Sequence, residues 1–152
     1  MKRFITLFAA AAVAVLSVSS CYTESTEALY DLYFTIGDES QSFGLGADEA
    51  EKALSEIESS VNTFTKASTV EWKETVKNND FSSADASARA RYQSVLTEFQ
   101  KLEADVKAKA AAITPGLKAS FSYTYIIKLK RWAPNGNDAE LEQYSFTVAY
   151  QE

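Results

Sequence analysis

Apolar and polar residues alternate along the chain from Ala28 onward. The apolar positions share one parity and comprise Tyr30, Leu32, Phe34 and Ile36. Because successive side chains of a strand point to opposite faces, this alternation predicts a half-buried strand. We expect the strand to end at Gly37-Asp38 and a polar loop to follow over residues 39–46.

Two segments show the three- and four-residue spacing of amphipathic helices. The first covers about residues 48 to 65, and Asp48 is expected to cap it. Its apolar face comprises Ala50, Leu54, Ile57, Val61 and Phe64. The second helix is expected to open at Ser82 or Ser83 and to end at residues 114–116, where Pro and Gly stop it. Its apolar face comprises Ala88, Tyr92, Val95, Phe99, Leu102, Val106 and Ile113.

Residues 68–77, between the two helices, fit two patterns. Val70, Trp72 and Val76 share a parity in a stretch rich in β-branched residues, which favours a strand. A capping-box pattern at the start of the segment, and the four-residue spacing of Trp72 and Val76, favour a helix instead. We favour the strand and keep the helix as the alternative.

The C-terminal part reads as a β-hairpin. Its inward parity comprises Phe121, Tyr123, Tyr125, Ile127 and Leu129, then Tyr144, Phe146, Val148 and Tyr150. The turn is predicted at Pro134-Asn135-Gly136-Asn137, because Asn-Gly is the preferred composition of a tight hairpin turn. The element order is β-α-β-α-β-β, or β-α-α-α-β-β if residues 68–77 are helical. Both orders predict an α+β fold: a small single-layer, mainly antiparallel sheet with two long helices packed on one face.

Composition limits the chemistry that this fold can perform. The chain has 152 residues, 15 basic against 21 acidic, a formal charge of -6, one cysteine and no histidine. The absence of histidine excludes Ser-His-Asp and Cys-His catalysis, and a single cysteine excludes an internal disulfide. An acidic chain without a long basic run is a poor partner for nucleic acid. We therefore expect one core, no cofactor, no metal site, no nucleic-acid partner and no assignable catalytic residue.

The first 20 residues have the layout of an export signal. Lys2 and Arg3 precede an apolar run from Phe4 to Leu16, and small residues follow. This run is shorter than the roughly 20 residues that a membrane-spanning helix needs. We expect residues 1–20 to be a removable signal peptide, and their removal takes away two positive charges, so that -6 becomes -8.

Cys21 follows Val18, Ser19 and Ser20 directly. This motif resembles the lipobox of bacterial lipoproteins, although the commonest form has Leu in place of Val18 and Gly or Ala in place of Ser20. Serine before the cysteine is similar to the relaxed lipobox of Bacteroidota-type lipoproteins. The resemblance implies cleavage by signal peptidase II before Cys21, a diacylglyceryl group on its sulfur, and stable anchoring through two or three acyl chains. The alternative interpretations are ordinary secretion with a chance cysteine near the cleavage site, and a free buried thiol.

The lipoprotein interpretation divides the chain into a signal peptide at 1–20, a lipidated Cys21 with a short tether at 21–27, and a single domain at 28–152. The tether reaches at most about 20 Å when extended. Tyr22 is not the aspartate that marks inner-membrane retention in enteric lipoproteins, which favours the outer membrane of the bacterial envelope. Which face of that membrane the domain occupies stays open.

Five residues of the outward parity form a candidate binding patch: Tyr33, Ile126, Lys128, Lys130 and Trp132. An aromatic ring beside polar groups can stack on a sugar or anchor a protein partner, although scattered exposed apolar residues are also normal. The lipoprotein interpretation and the missing catalytic groups favour a non-catalytic binding module with a protein or glycan partner, which the patch would bind. The alternatives are a carboxylate-dependent glycan hydrolase and an acidic inhibitor or immunity-like lipoprotein. The oligomeric state is left open.

Overall fold

The computed structural model describes residues 23–152. Its elements are β1 (Ser25–Phe43), α1 (Asp48–Ser68), β2 (Val70–Lys77), α2 (Ser82–Ala111), β3 (Ala119–Trp132) and β4 (Ala139–Gln151). The four strands form one antiparallel sheet in the order β2-β1-β3-β4. The α+β fold and the order β-α-β-α-β-β are confirmed, and with them the strand at residues 70–77.

The sheet has two different faces. Along β3 the odd-numbered side chains from Ala119 to Leu129 are buried, and the even-numbered ones are partly exposed. Phe99 of α2 lies at the centre of the core, with ring centroids 5.4 Å from Phe34 and 4.9 Å from Phe146. We call the side covered by α1 and α2 the helix face and the opposite side the open face.

Trp72 explains why the ambiguous segment forms a strand. It pairs with Tyr30 in the β1-β2 register, and the two rings stack with centroids 5.5 Å apart. The guanidinium of Arg91 on α2 lies 4.5 Å from the Trp72 ring on the helix face. As a strand, the segment therefore packs its largest side chain against both the sheet and a helix.

β1 is longer than its alternation predicts. It begins at Ser25, opposite Lys77, and it continues past Gly37 to Phe43. The predicted end at Gly37-Asp38 and the loop at 39–43 are therefore wrong. A bulge between Ile36 and Glu39 inserts one extra residue and changes the parity, so a simple alternation is lost although pairing with β3 resumes.

Neither helix has a side-chain capping bond from its N-cap residue. The N-cap residue of α1 is Ala47, which makes no side-chain capping bond, and Asp48 is already helical, so the predicted capping role of Asp48 is wrong. Acidic residues in this first turn still favour the helix dipole. Before α2, Asp80 accepts hydrogen bonds from the backbone N–H of Ser82 at 3.1 Å and from its hydroxyl at 2.6 Å.

The hairpin turn forms as predicted. Asn135 and Gly136 have φ angles of 60° and 74°, and Asn137 donates its backbone N–H to the carbonyl of Pro134 at 3.3 Å. Two consecutive positive φ values are what a type I′ turn requires, which is why Asn-Gly is favoured there.

Candidate functional site

The β1-β3 register brings the predicted patch residues together on the open face. Tyr33 lies opposite Lys128, and Trp132 lies opposite Leu29. Ile126 and Lys130 flank Lys128 on the same side of β3, since alternate residues share a face. The five residues therefore form one strip along the two central strands, although β1 and β3 are far apart in sequence.

The strip stays accessible because both helices cover the other side of the sheet. Trp132 is 39% exposed, and Tyr33, Ile126, Lys128 and Lys130 are half-buried by their strand neighbours. A half-buried side chain has a restricted orientation but still offers an edge or face to a ligand. This strip is therefore an ordered surface of mixed aromatic, aliphatic and basic character.

Acidic neighbours balance the lysines of the strip. Lys128 Nζ lies 3.5 Å from Glu140 Oε2, and Lys130 is paired in register with Asp31 on one side and Glu140 on the other. Lys130 Nζ also lies 5.3 Å from the centroid of the Trp132 ring. The lysines of the strip consequently have acidic neighbours, and this part of the open face offers both hydrogen-bond donors and acceptors.

A small concavity lies beside Trp132, and we call it the Trp132 notch. It has a volume of about 170 Å³ and is lined by Lys130, Arg131, Trp132, Asp138, Ala139 and Glu140. Pockets for drug-sized ligands are usually about 300 Å³ or larger. The notch therefore has room for one ring-sized group rather than for a large cofactor.

A β-bulge in β4 supplies one wall of the notch. Leu129 pairs with Glu142, but Lys130 pairs with Glu140, so Leu141 is the extra residue. Without the bulge, Glu140 would have the parity of Glu142, which reaches Arg89 on the helix face. A one-residue slip moves a side chain to the opposite face of a sheet, and here it brings Glu140 to the open face beside Lys130.

The hairpin end behind the notch is held by side chains. Asp138 Oδ1 accepts the backbone N–H of Ala133 at 2.7 Å. Arg131 donates from Nε to the carbonyl of Asn137 at 3.0 Å. Both hydrogen bonds tie the turn to the end of β3, and they hold this side of the notch in place.

The sequence patterns pointed to neither Glu140 nor Asp138 as a site residue. The Asn-Gly turn does place Asp138 near the end of the hairpin, so its proximity to Trp132 had a local signal. No local pattern indicated Glu140. A bulge depends on how two strands pair, and the alternation within one strand does not reveal it.

A larger, open groove of about 560 Å³ lies at the other end of the sheet. It is lined by Ser42, Phe43, Gly44, Lys118, Ala119, Ser120, Gln151 and Glu152. These residues are strand ends and the C-terminus, and none belongs to the predicted patch. We place the candidate site at the strip and the Trp132 notch, where aromatic and polar groups converge.

Cys21 and the lipobox residues Val18, Ser19 and Ser20 lie outside the described residues. Within residues 23–152, no helix is both long and apolar enough to cross a membrane. The same part of the chain contains no cluster of three or more acidic, cysteine or histidine side chains arranged to hold a metal ion. No protein-family model, curated protein or solved structure matches this chain.

Proposed function

We propose that this protein is a non-catalytic binding module that acyl chains on Cys21 anchor at the bacterial outer membrane, and that it binds a protein or glycan partner through its open face. The observation that supports the binding role is the β1-β3 register, which gathers Tyr33, Lys128 and Trp132 on the side that no helix of residues 23–152 covers. The lipobox-like motif supports the anchor.

The geometry of β1 makes the proposed tether shorter than the sequence predicts. β1 begins at Ser25, and Glu24 already accepts the backbone N–H of Asn78 at 2.8 Å. Three Cα–Cα steps separate Cys21 from Glu24, so an extended tether spans at most about 11 Å. A domain anchored through Cys21 would therefore sit against its bilayer.

The Trp132 notch lies toward the same end of the sheet as this tether. Leu29, which pairs with Trp132, follows Ser25 by four residues, or about 13 Å along a strand. The partner of an anchored domain would then be met close to the membrane surface. We expect this partner to be a component of the envelope.

Substitution on the open face tests the binding role. Tyr33→Ala combined with Trp132→Ala should lower the recovery of envelope partners in a pull-down, and the signal on a glycan array, by at least tenfold. Leu45→Ala is the matched control, because Leu45 is a fully exposed apolar residue outside the strip. Equal binding by the double variant and the control would remove the open face from the proposal.

Labelling with palmitate tests the anchor. Cys21→Ala should abolish incorporation and move the protein from the membrane fraction to the soluble fraction. Cys21→Ser, which keeps a small polar side chain but lacks the thiol, should behave in the same way. A variant that stays membrane-bound without label would contradict anchoring through this residue.

A carboxylate-dependent glycan hydrolase is the second candidate, because Asp138 and Glu140 line the same notch. Paired carboxylates are the usual catalytic groups of glycosidases. Release of reducing ends from neutral polysaccharides by the wild-type protein, lost in Glu140→Gln, would favour the hydrolase over the binding module. No release by either protein would leave binding as the function of the notch.

A further inference from the structure

We propose that the Trp132 notch is a binding site for one ring of a neutral saccharide, with Trp132 as the stacking platform and Asp138, Glu140 and Lys130 as its hydrogen-bonding groups. This inference rests on the proposed binding function and names the ligand class of that surface. Shape, hydrogen-bonding capacity and charge each support it independently.

The shape of the notch fits a flat, ring-sized ligand. Trp132 offers the largest planar side chain, and it is the most exposed aromatic ring of the strip. An aromatic ring can pack against the C–H face of a sugar ring. The hydroxyl groups at the edge of the sugar then stay free for hydrogen bonds. A volume of about 170 Å³ suits one sugar ring, and a longer glycan could continue along the strip toward Tyr33.

The notch also has the hydrogen-bonding groups that sugar hydroxyls need. Asp138 uses one oxygen to hold Ala133 N–H, and a carboxylate has further acceptor sites on its second oxygen. The contact between Glu140 and Lys128 is long at 3.5 Å, which leaves Glu140 able to accept a hydroxyl. Lys130 adds ammonium donors, with its Nζ 5.3 Å from the centroid of the Trp132 ring.

The Lys130 ammonium does not block the Trp132 ring permanently. An exposed cation-π contact is worth about 0.5–1 kcal/mol, and the contact here has a nitrogen-to-centroid distance of 5.3 Å. Lysine has a flexible side chain with three donors. Lys130 can therefore leave the ring face to the C–H groups of a sugar and donate to a hydroxyl at its edge.

The charged residues that line the notch favour a neutral ligand over an anionic one. The lining holds two basic and two acidic residues: Lys130, Arg131, Asp138 and Glu140. Arg131 is already paired with Asp85 on the helix face, which leaves the ligand side slightly acidic. An anionic sugar or a carboxylate-bearing peptide would meet Asp138 and Glu140 at close range, so a neutral polyhydroxyl ring is the better match.

A bulge at the site is consistent with a binding role. Bulges are over-represented beside functional sites, where they re-aim one side chain. Here the extra residue Leu141 packs against the core, and Glu140 moves to the notch. The bulge thus places a second carboxylate beside Trp132 without loss of core packing.

A printed array of neutral and acidic glycans tests the ligand class, with residues 22–152 as the probe protein. We expect signal on neutral glycans and none on sialylated or uronic-acid glycans. Trp132→Ala should lower the neutral signal at least tenfold, and Glu140→Gln and Asp138→Asn should each lower it several-fold. Thr124→Ala, on the open face but away from the notch, should leave it unchanged.

Fluorescence provides a second measurement on folded protein. In a Trp72→Phe background Trp132 is the single tryptophan, so titration with the best-bound neutral oligosaccharide should change its emission intensity, and Glu140→Gln should raise the apparent Kd several-fold. Binding restricted to acidic glycans, or neutral binding that survives Trp132→Ala, would overturn the inference. An envelope protein captured in a Tyr33- and Trp132-dependent way without any glycan binding would also overturn it, while the proposed binding function would stand.

Discussion

The hydroxyl of Tyr30 on β1 donates a hydrogen bond to Asp85 Oδ1 on α2 at 2.8 Å. The other oxygen of Asp85 pairs with Arg131 on β3, and the side chains of Asp85 and Arg131 are only 14% and 12% exposed. Arg131 also lies 4.2 Å from the centroid of Phe81. One carboxylate therefore links two strands to a helix, directly behind the Trp132 notch.

Removal of this carboxylate should strongly destabilise the domain. Asp85→Ala leaves a largely buried guanidinium without its counter-charge, which we expect to cost about 3–5 kcal/mol in the free energy of unfolding. Tyr30→Phe removes one hydrogen bond and should cost about 1 kcal/mol. Urea titration measures both. Lys101→Ala, which breaks the exposed pair with Glu98, is the control and should change stability by about 0.5 kcal/mol or less.

The buried tyrosines predict a loss of stability at alkaline pH. Burial, and then the Glu58 carboxylate, raises the pKa of Tyr125 to about 12, and burial followed by Glu142 does the same for Tyr92, from an ordinary value of 10.0. Burial and the Asp85 hydrogen bond raise the pKa of Tyr30 further. Folding therefore favours the protonated phenols. Their contribution is complete below pH 10 and is lost as the pH rises through about 12.

Circular dichroism and tyrosine absorbance followed together between pH 8 and pH 12.5 test this. We expect the phenolate signal of the buried tyrosines to rise in the same transition as the loss of secondary structure. The protein in concentrated urea should instead titrate near pH 10. Ionisation of all tyrosines near pH 10 with the fold intact would show that these hydroxyls are not protected.

Phe99 is the most connected ring of the core. Its centroid lies within 6.3 Å of those of Phe34, Phe64, Tyr144 and Phe146. Phe99→Ala should therefore cost about 3–5 kcal/mol in the free energy of unfolding, because it leaves a cavity among these rings. Leu45→Ala, at a fully exposed position, should change thermal and urea midpoints very little. A small effect of Phe99→Ala would mean that the core packs differently.

The two tryptophans should report on the two faces of the sheet. Trp132 is exposed, whereas Trp72 is covered by Tyr30 and Arg91. Acrylamide should quench the emission of the Trp72→Phe variant, whose one tryptophan is Trp132, more strongly than the emission of the Trp132→Phe variant, whose one tryptophan is Trp72. Trp132→Phe should also change stability by about 0.5 kcal/mol or less, while Trp72→Phe should cost about 1 kcal/mol or more. Equal quenching would place Trp132 in a covered position.

Local patterns predicted most of the fold because they depend on short-range periodicity. The alternation in β3 and β4, the apolar face of α1, most of that of α2 and the Asn135-Gly136 turn lie where the sequence indicates. α2 ends at Ala111, before the predicted end, so Ile113 is buried but lies beyond the helix. Residues 70–77 were harder to predict, because a segment of only eight residues can satisfy both the strand and the helix periodicity. Packing of Trp72 against Tyr30 decides it in favour of the strand.

The candidate site was predicted only in part. Parity correctly placed Tyr33 and Trp132 on the side of the sheet away from the core, but parity does not say that Lys128 lies opposite Tyr33. Register depends on where two distant segments meet. The sequence patterns gave no sign of Glu140 at this surface, since its orientation follows from the bulge at Leu141.

The sequence by itself determined which side chains face the core, where the hairpin turns, and that Cys21 ends a lipobox-like motif. These are properties of neighbouring residues, and they follow from side-chain periodicity and local composition. Only the tertiary structure decided the extension of β1, the Tyr30–Asp85–Arg131 linkage and the notch beside Trp132. Each of these depends on contacts between segments far apart in the chain, where strand register and packing, rather than local preference, determine the position of a side chain.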